Sequence, residues 1–81
     1  MQELEEIHIG NAVCDYLKKT GRSKKWLAAQ VHCEYSNFCK LLAKQYIDTE
    51  LLIRISCALH HNFFSYIEHH VHNMVKTHHN Y

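Results

Sequence analysis

The sequence lacks several features that would mark other classes of protein. Its two glycines leave no room for a glycine-rich phosphate loop. No apolar run approaches the roughly 18 residues that suggest a transmembrane helix, and the acidic N-terminus does not resemble a secretory signal. We therefore expect a cytoplasmic chain that neither crosses nor binds a membrane.

Catalytic patterns are equally scarce. No Ser-His-Asp or Cys-His arrangement stands out beyond chance pairs. At 81 residues, one small domain with a single core is expected, and a large catalytic cleft is not. We therefore expect a protein that is not an enzyme, requires no cofactor and has no small-molecule substrate.

Nine histidines and four cysteines raise the question of a metal site or of disulfides. His69 and His72 have the i, i+3 spacing that can bring two imidazoles to one metal. However, neither Cys-x-x-Cys nor His-Glu-x-x-His occurs, and no acidic residue completes an evident ligand set. We interpret the histidines as surface residues that bind no metal. The cysteines have no paired spacing, so we expect free thiols packed as small hydrophobic residues; they are Cys14, Cys33, Cys39 and Cys57.

The apolar residues recur at helical spacing throughout the chain, and 47% apolar content argues against disorder. Gly21 is placed to end a first helix, while Ser23, Asp48 and Asn62 are placed to cap later ones. The pattern predicts an all-α fold, with helices at about residues 7–20, 24–31, 35–42, 49–59 and from about 63 onward.

One stretch carries a resemblance to a known family. Leu27-Ala28, a three-residue spacer, a turn at His32-Cys33, the polar Glu34 and the apolar Phe38 resemble the helix-turn-helix of the Cro and lambda-repressor-like (XRE-type) DNA-binding domains. The segments LLIRISCAL (51–59) and NFFSYI (62–67) are similar to the family's fourth and fifth helices. The resemblance covers roughly residues 9–67.

The resemblance implies a compact five-helix, lambda-repressor-like domain with the helix-turn-helix at helices two and three. Residues 1–81 would form this single domain, with a core of about 7–67 and with 68–81 extending helix five. It also implies a sequence-specific transcriptional regulator that inserts helix three, about 35–43, into the major groove of double-stranded DNA.

Matching positions assign roles on DNA, as the resemblance implies them. Base contacts fall on the exposed face of helix three, at Tyr35, Ser36, Asn37 and Lys40. Phosphate contacts fall on Arg22, Lys24 and Lys44. For Tyr35 a place at the rim of the core is the open alternative, since it lies only about 60° from Phe38 around the helix.

The charge distribution favours the same surface. Seven cations lie between residues 18 and 44 against Glu34 alone, a local balance of +6, whereas the whole chain carries a net charge of +1. Such a local field suits a polyanion at the helix-turn-helix. The alternative is an ordinary solvated lysine surface.

Two departures from the family pattern carry structural expectations. His32 stands where family members usually have glycine, so we expect it to adopt a left-handed backbone conformation. Leu17 and Leu42 stand where many members carry an internal Arg–Glu pair. Replacing both charges with apolar residues is often neutral or stabilising, and we expect these two leucines to touch.

Helix five carries more apolar residues than a minimal domain of this type needs, at Phe64, Ile67, Val71, Met74 and Val75. This stripe either folds back on helix one or forms a homodimer interface, and we favour the dimer. The alternative function is a protein-interaction or antitoxin-like module that keeps the fold but binds a partner protein through helix five or the helix-three face.

Overall fold

The computed structural model describes residues 7–77 of the chain, and every regular element within that range is an α-helix. The prediction of an all-α fold is confirmed. The five helices are α1 (Ile9–Thr20), α2 (Lys24–Gln30), α3 (Tyr35–Leu42), α4 (Thr49–Leu59) and α5 (Phe64–Thr77). None of these described helices has the length and apolar character that would let it cross a membrane.

Polar side chains cap the start of each helix. The side chains of Ser23, Glu34 and Asp48 each accept a hydrogen bond of 2.9–3.0 Å from the backbone N–H three residues on. Asn62 accepts one from the N–H of Phe64 at 2.9 Å. The start of α1 was predicted too early, because His8 is itself the cap: its Nδ1 accepts from a backbone N–H at 2.9 Å.

Three helices end in the same way, with a left-handed residue just past the helix. The residues are Gly21 (φ 76°), His32 (φ 57°) and His60 (φ 51°). In each case the N–H of the following residue donates to the carbonyl five residues before it, at 2.9–3.0 Å. The expected left-handed conformation of His32 is confirmed. His60 occupies the equivalent place after α4.

The core is built from apolar residues of the first four helices, together with Ile7 before α1 and Phe63 just before α5. Phe64 and Ile67 of α5 pack against this core. Helices α1 and α2 both pack against α3, and α4 packs against α2. The apolar face of α3 is therefore held by α1 and α2. Leu17 and Leu42 are both buried, each 2% exposed, and belong to the same core cluster. Their direct contact stays a prediction. The largest fully buried side chains are Phe38, Phe63, Leu27, Leu42, Leu52, Ile55, Val13 and Val31.

The N-terminal end of α1 is hydrogen-bonded to the loop that follows α3. The backbone N–H of Ile9 donates to the carbonyl of Gln45 at 2.8 Å. The Gln45 side-chain amide donates in return to the carbonyl of Ile7 at 2.7 Å. These reciprocal bonds fix the course of the loop over residues 43–48, which carries Lys44.

The apolar stripe of α5 divides into two parts. Phe64 and Ile67 are half-buried against the core. Further along, Val71 and Val75 are 50% and 49% exposed, while Met74 is half-buried. The end of α5 therefore leaves its two valines uncovered, which does not match the alternative in which the stripe folds back on α1.

All four cysteines are free thiols, as predicted. Three of them are half-buried, but Cys57 is exposed, so its expected packing as a small hydrophobic residue is wrong. Cys57 lies about 200° around α4 from the fully buried Ile55. The helical position, rather than the residue type, decides its exposure.

Candidate nucleic-acid interface

The third helix presents two different faces. Phe38 and Leu42 are buried beneath it, with 0% and 2% exposure. The four residues predicted to contact bases are all exposed on the same short helix. Tyr35 is 47% exposed, which favours an outward position over the rim of the core.

Tyr35 has a neighbour one turn along the helix. A hydrogen bond with the Cys39 side chain and, second, the charge of that side chain when its thiol ionises raise the pKa of Tyr35 above its ordinary value of 10.0. The phenol is therefore neutral at physiological pH.

The start of α3 is organised around the carboxylate of Glu34. The Ser36 hydroxyl donates to both Glu34 oxygens, at 2.7 and 2.9 Å. The Asn37 backbone N–H donates to Glu34 Oε1 at 2.9 Å. The Ser36 bond first, and then the Asn37 N–H, lower the pKa of Glu34 below its ordinary value of 4.5, so the carboxylate is ionised at neutral pH.

Sequence reasoning did not place Glu34 in the site. The available signal was that Glu34 is the only acidic residue within the basic stretch 18–44. Ser36, in contrast, was predicted to serve several bases. Its hydroxyl proton is committed to Glu34, which leaves the Ser36 oxygen as an acceptor.

The remaining predicted base contacts lie further along the helix. The side-chain amide of Asn37 donates weakly to the sulfur of Cys33 at 4.0 Å. Lys40 is exposed in the last turn of α3. An ammonium there is a hydrogen-bond donor only, so α3 carries an acceptor at its start and a donor near its end.

The three predicted phosphate contacts are exposed but differ in their surroundings. Lys24 begins α2, directly after the Ser23 cap. Lys44 lies in the loop that is hydrogen-bonded to α1. The Arg22 guanidinium stacks 4.0 Å above the centre of the Trp26 ring, and both residues line a depression with the end of α4. Arg22 is therefore committed to a cation–π contact.

The basic stretch does not form one continuous face. Lys19 lines a depression between α1 and the start of α5, together with Asp15 and Tyr66. Lys24 lies in α2, Lys40 in α3 and Lys44 in the loop after α3. The net charge of +6 in residues 18–44 is therefore spread over more than one surface, and only part of it lies near α3.

The described histidines do not cluster into a metal site. Within residues 7–77, no group of three or more His, Cys, Asp and Glu side chains could hold a metal ion. His61 instead stacks on the Tyr16 ring, with centroids 4.2 Å apart, and meets Phe63 edge-on at 4.6 Å. His78 and His79 lie outside the described residues.

Comparisons of this chain with protein-family models, with curated proteins and with solved structures return no match. The resemblance to lambda-repressor-like domains therefore depends on the residues quoted for it. The order of the five helices and the surroundings of α3 are the structural observations that bear on function.

Proposed function

We propose that the protein is a sequence-specific DNA-binding transcriptional regulator of the lambda-repressor-like type, with α3 as the helix that enters the major groove. One observation carries this proposal: a short helix buries Phe38 and Leu42 while it exposes Ser36, Asn37 and Lys40. A major groove about 12 Å wide admits a helix that is anchored by one face.

The arrangement of α2 and α3 supports a helix-turn-helix. The two helices pack against each other, and the left-handed His32 ends α2 four residues after the buried Ala28. The Cys33 N–H closes the turn by donating to the carbonyl of Ala28 at 2.9 Å. A turn closed in this way holds the start of α3 at a defined angle to α2.

Polar groups on α3 and on the segments beside it have different roles in binding DNA. Lys40 donates to guanine O6 or N7, and Asn37 reaches a base or the backbone. Lys24 and Lys44 neutralise phosphates, which gives affinity and orientation without sequence information. Arg22 adds charge from its stacked position on Trp26.

The proposal includes a homodimer formed through α5. Val71 and Val75 lie one turn apart on the same face and are about half exposed. A second copy of this face would cover both pairs of valines, and two-fold association is how such domains reach two half-sites. Phe64 and Ile67 contribute less than predicted, because they already pack against the chain's own core.

The binding test is fluorescence anisotropy of a labelled random-sequence duplex at several salt concentrations. We expect affinity to fall steeply with salt. We expect the Lys40→Ala, Lys44→Ala double variant to bind more weakly, with a log–log slope reduced by roughly one for the lost phosphate contact of Lys44. The matched control removes two exposed lysines elsewhere, as Lys19→Ala, Lys76→Ala. Equal losses in both double variants, or no binding by the folded protein at low salt, would overturn the proposal.

The dimer is tested separately by sedimentation equilibrium. We expect twice the 9.6 kDa mass of one chain for the wild type and a monomer for Val71→Glu, Val75→Glu. The control, His69→Glu, His72→Glu, places the same charges on exposed positions of α5 and should remain dimeric. A monomeric wild type at tens of micromolar concentration would contradict the dimer.

The second candidate is a protein-interaction or antitoxin-like module, favoured by the same uncovered valines of α5. A mainly apolar interface would be insensitive to salt, whereas DNA binding would not. The salt series therefore separates the two functions.

A further inference from the structure

The Glu34 carboxylate occupies the place where a helix N-terminus would otherwise attract a phosphate. Free backbone N–H groups and the helix dipole make such an end favourable for anions. In α3 the carboxylate accepts the Asn37 N–H and fills this end with its own negative charge. A phosphate approaching the start of α3 therefore meets like charge, which is unusual for a surface that should approach DNA.

The hydrogen bonds around Glu34 fix what this end can recognise. The carboxylate is an acceptor, and the Ser36 hydroxyl donates its proton to it. Both side chains therefore present acceptors outward. In the major groove, guanine O6 and N7 and thymine O4 are also acceptors, whereas cytosine N4 and adenine N6 carry amino hydrogens.

We propose that Glu34 is a specificity-determining residue, which accepts a hydrogen bond from the amino group of a cytosine or adenine and rejects bases that offer only acceptors at that place. This inference rests on the proposed DNA-binding function. The fixed position of the carboxylate supports it, because three internal hydrogen bonds from Ser36 and Asn37 hold its two oxygens before any ligand arrives. The lowered pKa of Glu34 keeps it ionised at neutral pH.

Lys40 complements Glu34 along the same helix. Six residues separate them, or about 9 Å along the helix axis, which corresponds to two or three base pairs at about 3.4 Å each. The ammonium donates where the carboxylate accepts. The recognised half-site should therefore combine an amino-bearing base near the start of α3 with a guanine two or three base pairs away.

The experiment selects bound sequences from a pool of randomised duplexes with the wild type and with Glu34→Gln. The Gln oxygen can still accept the Asn37 N–H, while the charge is lost and an amide donor is gained. We expect Glu34→Gln to bind random duplex more tightly than the wild type does. We also expect its preference for an amino-bearing base at one position to fall at least about fivefold. That is the lower end of the discrimination that one good base contact gives.

Two further variants sharpen the result. Glu68→Gln removes the same charge from an exposed position on α5 and should leave the base preferences unchanged. Glu34→Asp keeps the charge and a strong helix cap, and should keep part of the preference. A selection with Glu34→Gln that returns the wild-type bases at every position would overturn the inference.

This outcome is distinguishable from failure of the proposed function. If the wild type binds DNA through Lys40 and Lys44 but Glu34→Gln selects the same sequences, only the role of Glu34 is overturned. If the folded wild type selects no sequence and binds no duplex at low salt, both proposals are overturned.

Discussion

Gly10 in α1 lies directly against the backbone of Leu42, where α3 ends. A Cβ atom at Gly10 would overlap the carbonyl oxygen of Leu42 and lie 2.7 Å from the carbonyl oxygen of Lys44. The absence of a side chain at this position therefore lets the start of α1 approach the end of the proposed recognition helix.

Replacing Gly10 should accordingly destabilise the protein. The carbonyl groups are backbone and cannot move aside cheaply, so we expect Gly10→Ala to cost about 1–3 kcal/mol despite the better helix propensity of alanine. Urea unfolding followed by circular dichroism measures this cost. The neighbouring Asn11→Ala, at an exposed position of the same helix, should change stability by less than about 0.5 kcal/mol. Equal stability of the Gly10→Ala and Asn11→Ala variants would contradict the close approach.

Replacing either left-handed histidine, His32 or His60, with glycine should stabilise the protein, whereas replacing Gly10 should destabilise it. Left-handed backbone costs a non-glycine residue about 1–2 kcal/mol, and glycine recovers part of that while it adds freedom to the unfolded chain. We expect His32→Gly and His60→Gly each to stabilise the fold by about 0.5–1 kcal/mol. Lys25→Gly, inside α2, should instead destabilise it by about 1 kcal/mol. Thermal unfolding distinguishes these signs, and a loss of stability in both histidine variants would argue against the φ values.

The predicted contact between Leu17 and Leu42 can be tested by introducing the Arg–Glu pair that many lambda-repressor-like domains carry at the matching positions. Leu17→Arg alone places an unpaired charge in the core and should cost about 3–5 kcal/mol. Adding Leu42→Glu should give a smaller loss than the sum of the single variants, by at least about 0.5 kcal/mol. Combining Leu17→Arg with Ile53→Glu, at an exposed position of α4, should show no such coupling. Strict additivity in the first pair would mean that the two residues do not touch.

Acid should weaken the start of α3 through Glu34. Its pKa is lower in the folded protein than its ordinary value of 4.5, because the folded state gives the carboxylate its Ser36 and Asn37 hydrogen bonds. The stabilisation is therefore fully present above pH 4.5 and is lost as the pH falls through the folded pKa. Urea unfolding between pH 7 and pH 3 should show a smaller acid-dependent loss in Glu34→Gln than in the wild type. Identical pH profiles of stability in the two proteins would show that Glu34 makes no such contribution.

The order of the helices and most of their bounds followed from local sequence. Ser23 and Asp48 mark helix starts, and Gly21 marks an end, through hydrogen bonds within a few residues. The caps and the apolar spacing depend only on residues close together in the chain, so they can be predicted from the sequence without a structure. His8 was missed as a cap because histidine is not among the preferred capping residues.

Features that depend on distant residues were not predictable in the same way. The packing of Gly10 on Leu42 and the bonds between Gln45 and the start of α1 join segments more than 30 residues apart. Exposure of Ser36, Asn37 and Lys40 followed from helical spacing, but their hydrogen bonds did not. For Tyr35 the spacing left a place at the rim of the core open, and the structure shows it exposed. The hydrogen bonds from Ser36 to Glu34 depend on the direction of two side chains at the cap. The spacing of apolar residues in the sequence carries no information about that direction.

The central claim, that the outer face of α3 binds DNA, is tested most directly by titrating the isotope-labelled protein with a short duplex and recording backbone amide chemical shifts. We expect the largest changes at Ser36, Asn37 and Lys40, with smaller ones at Lys24 and Lys44, and little change at the exposed end of α5. Changes confined to α5, or none at low salt, would contradict the account.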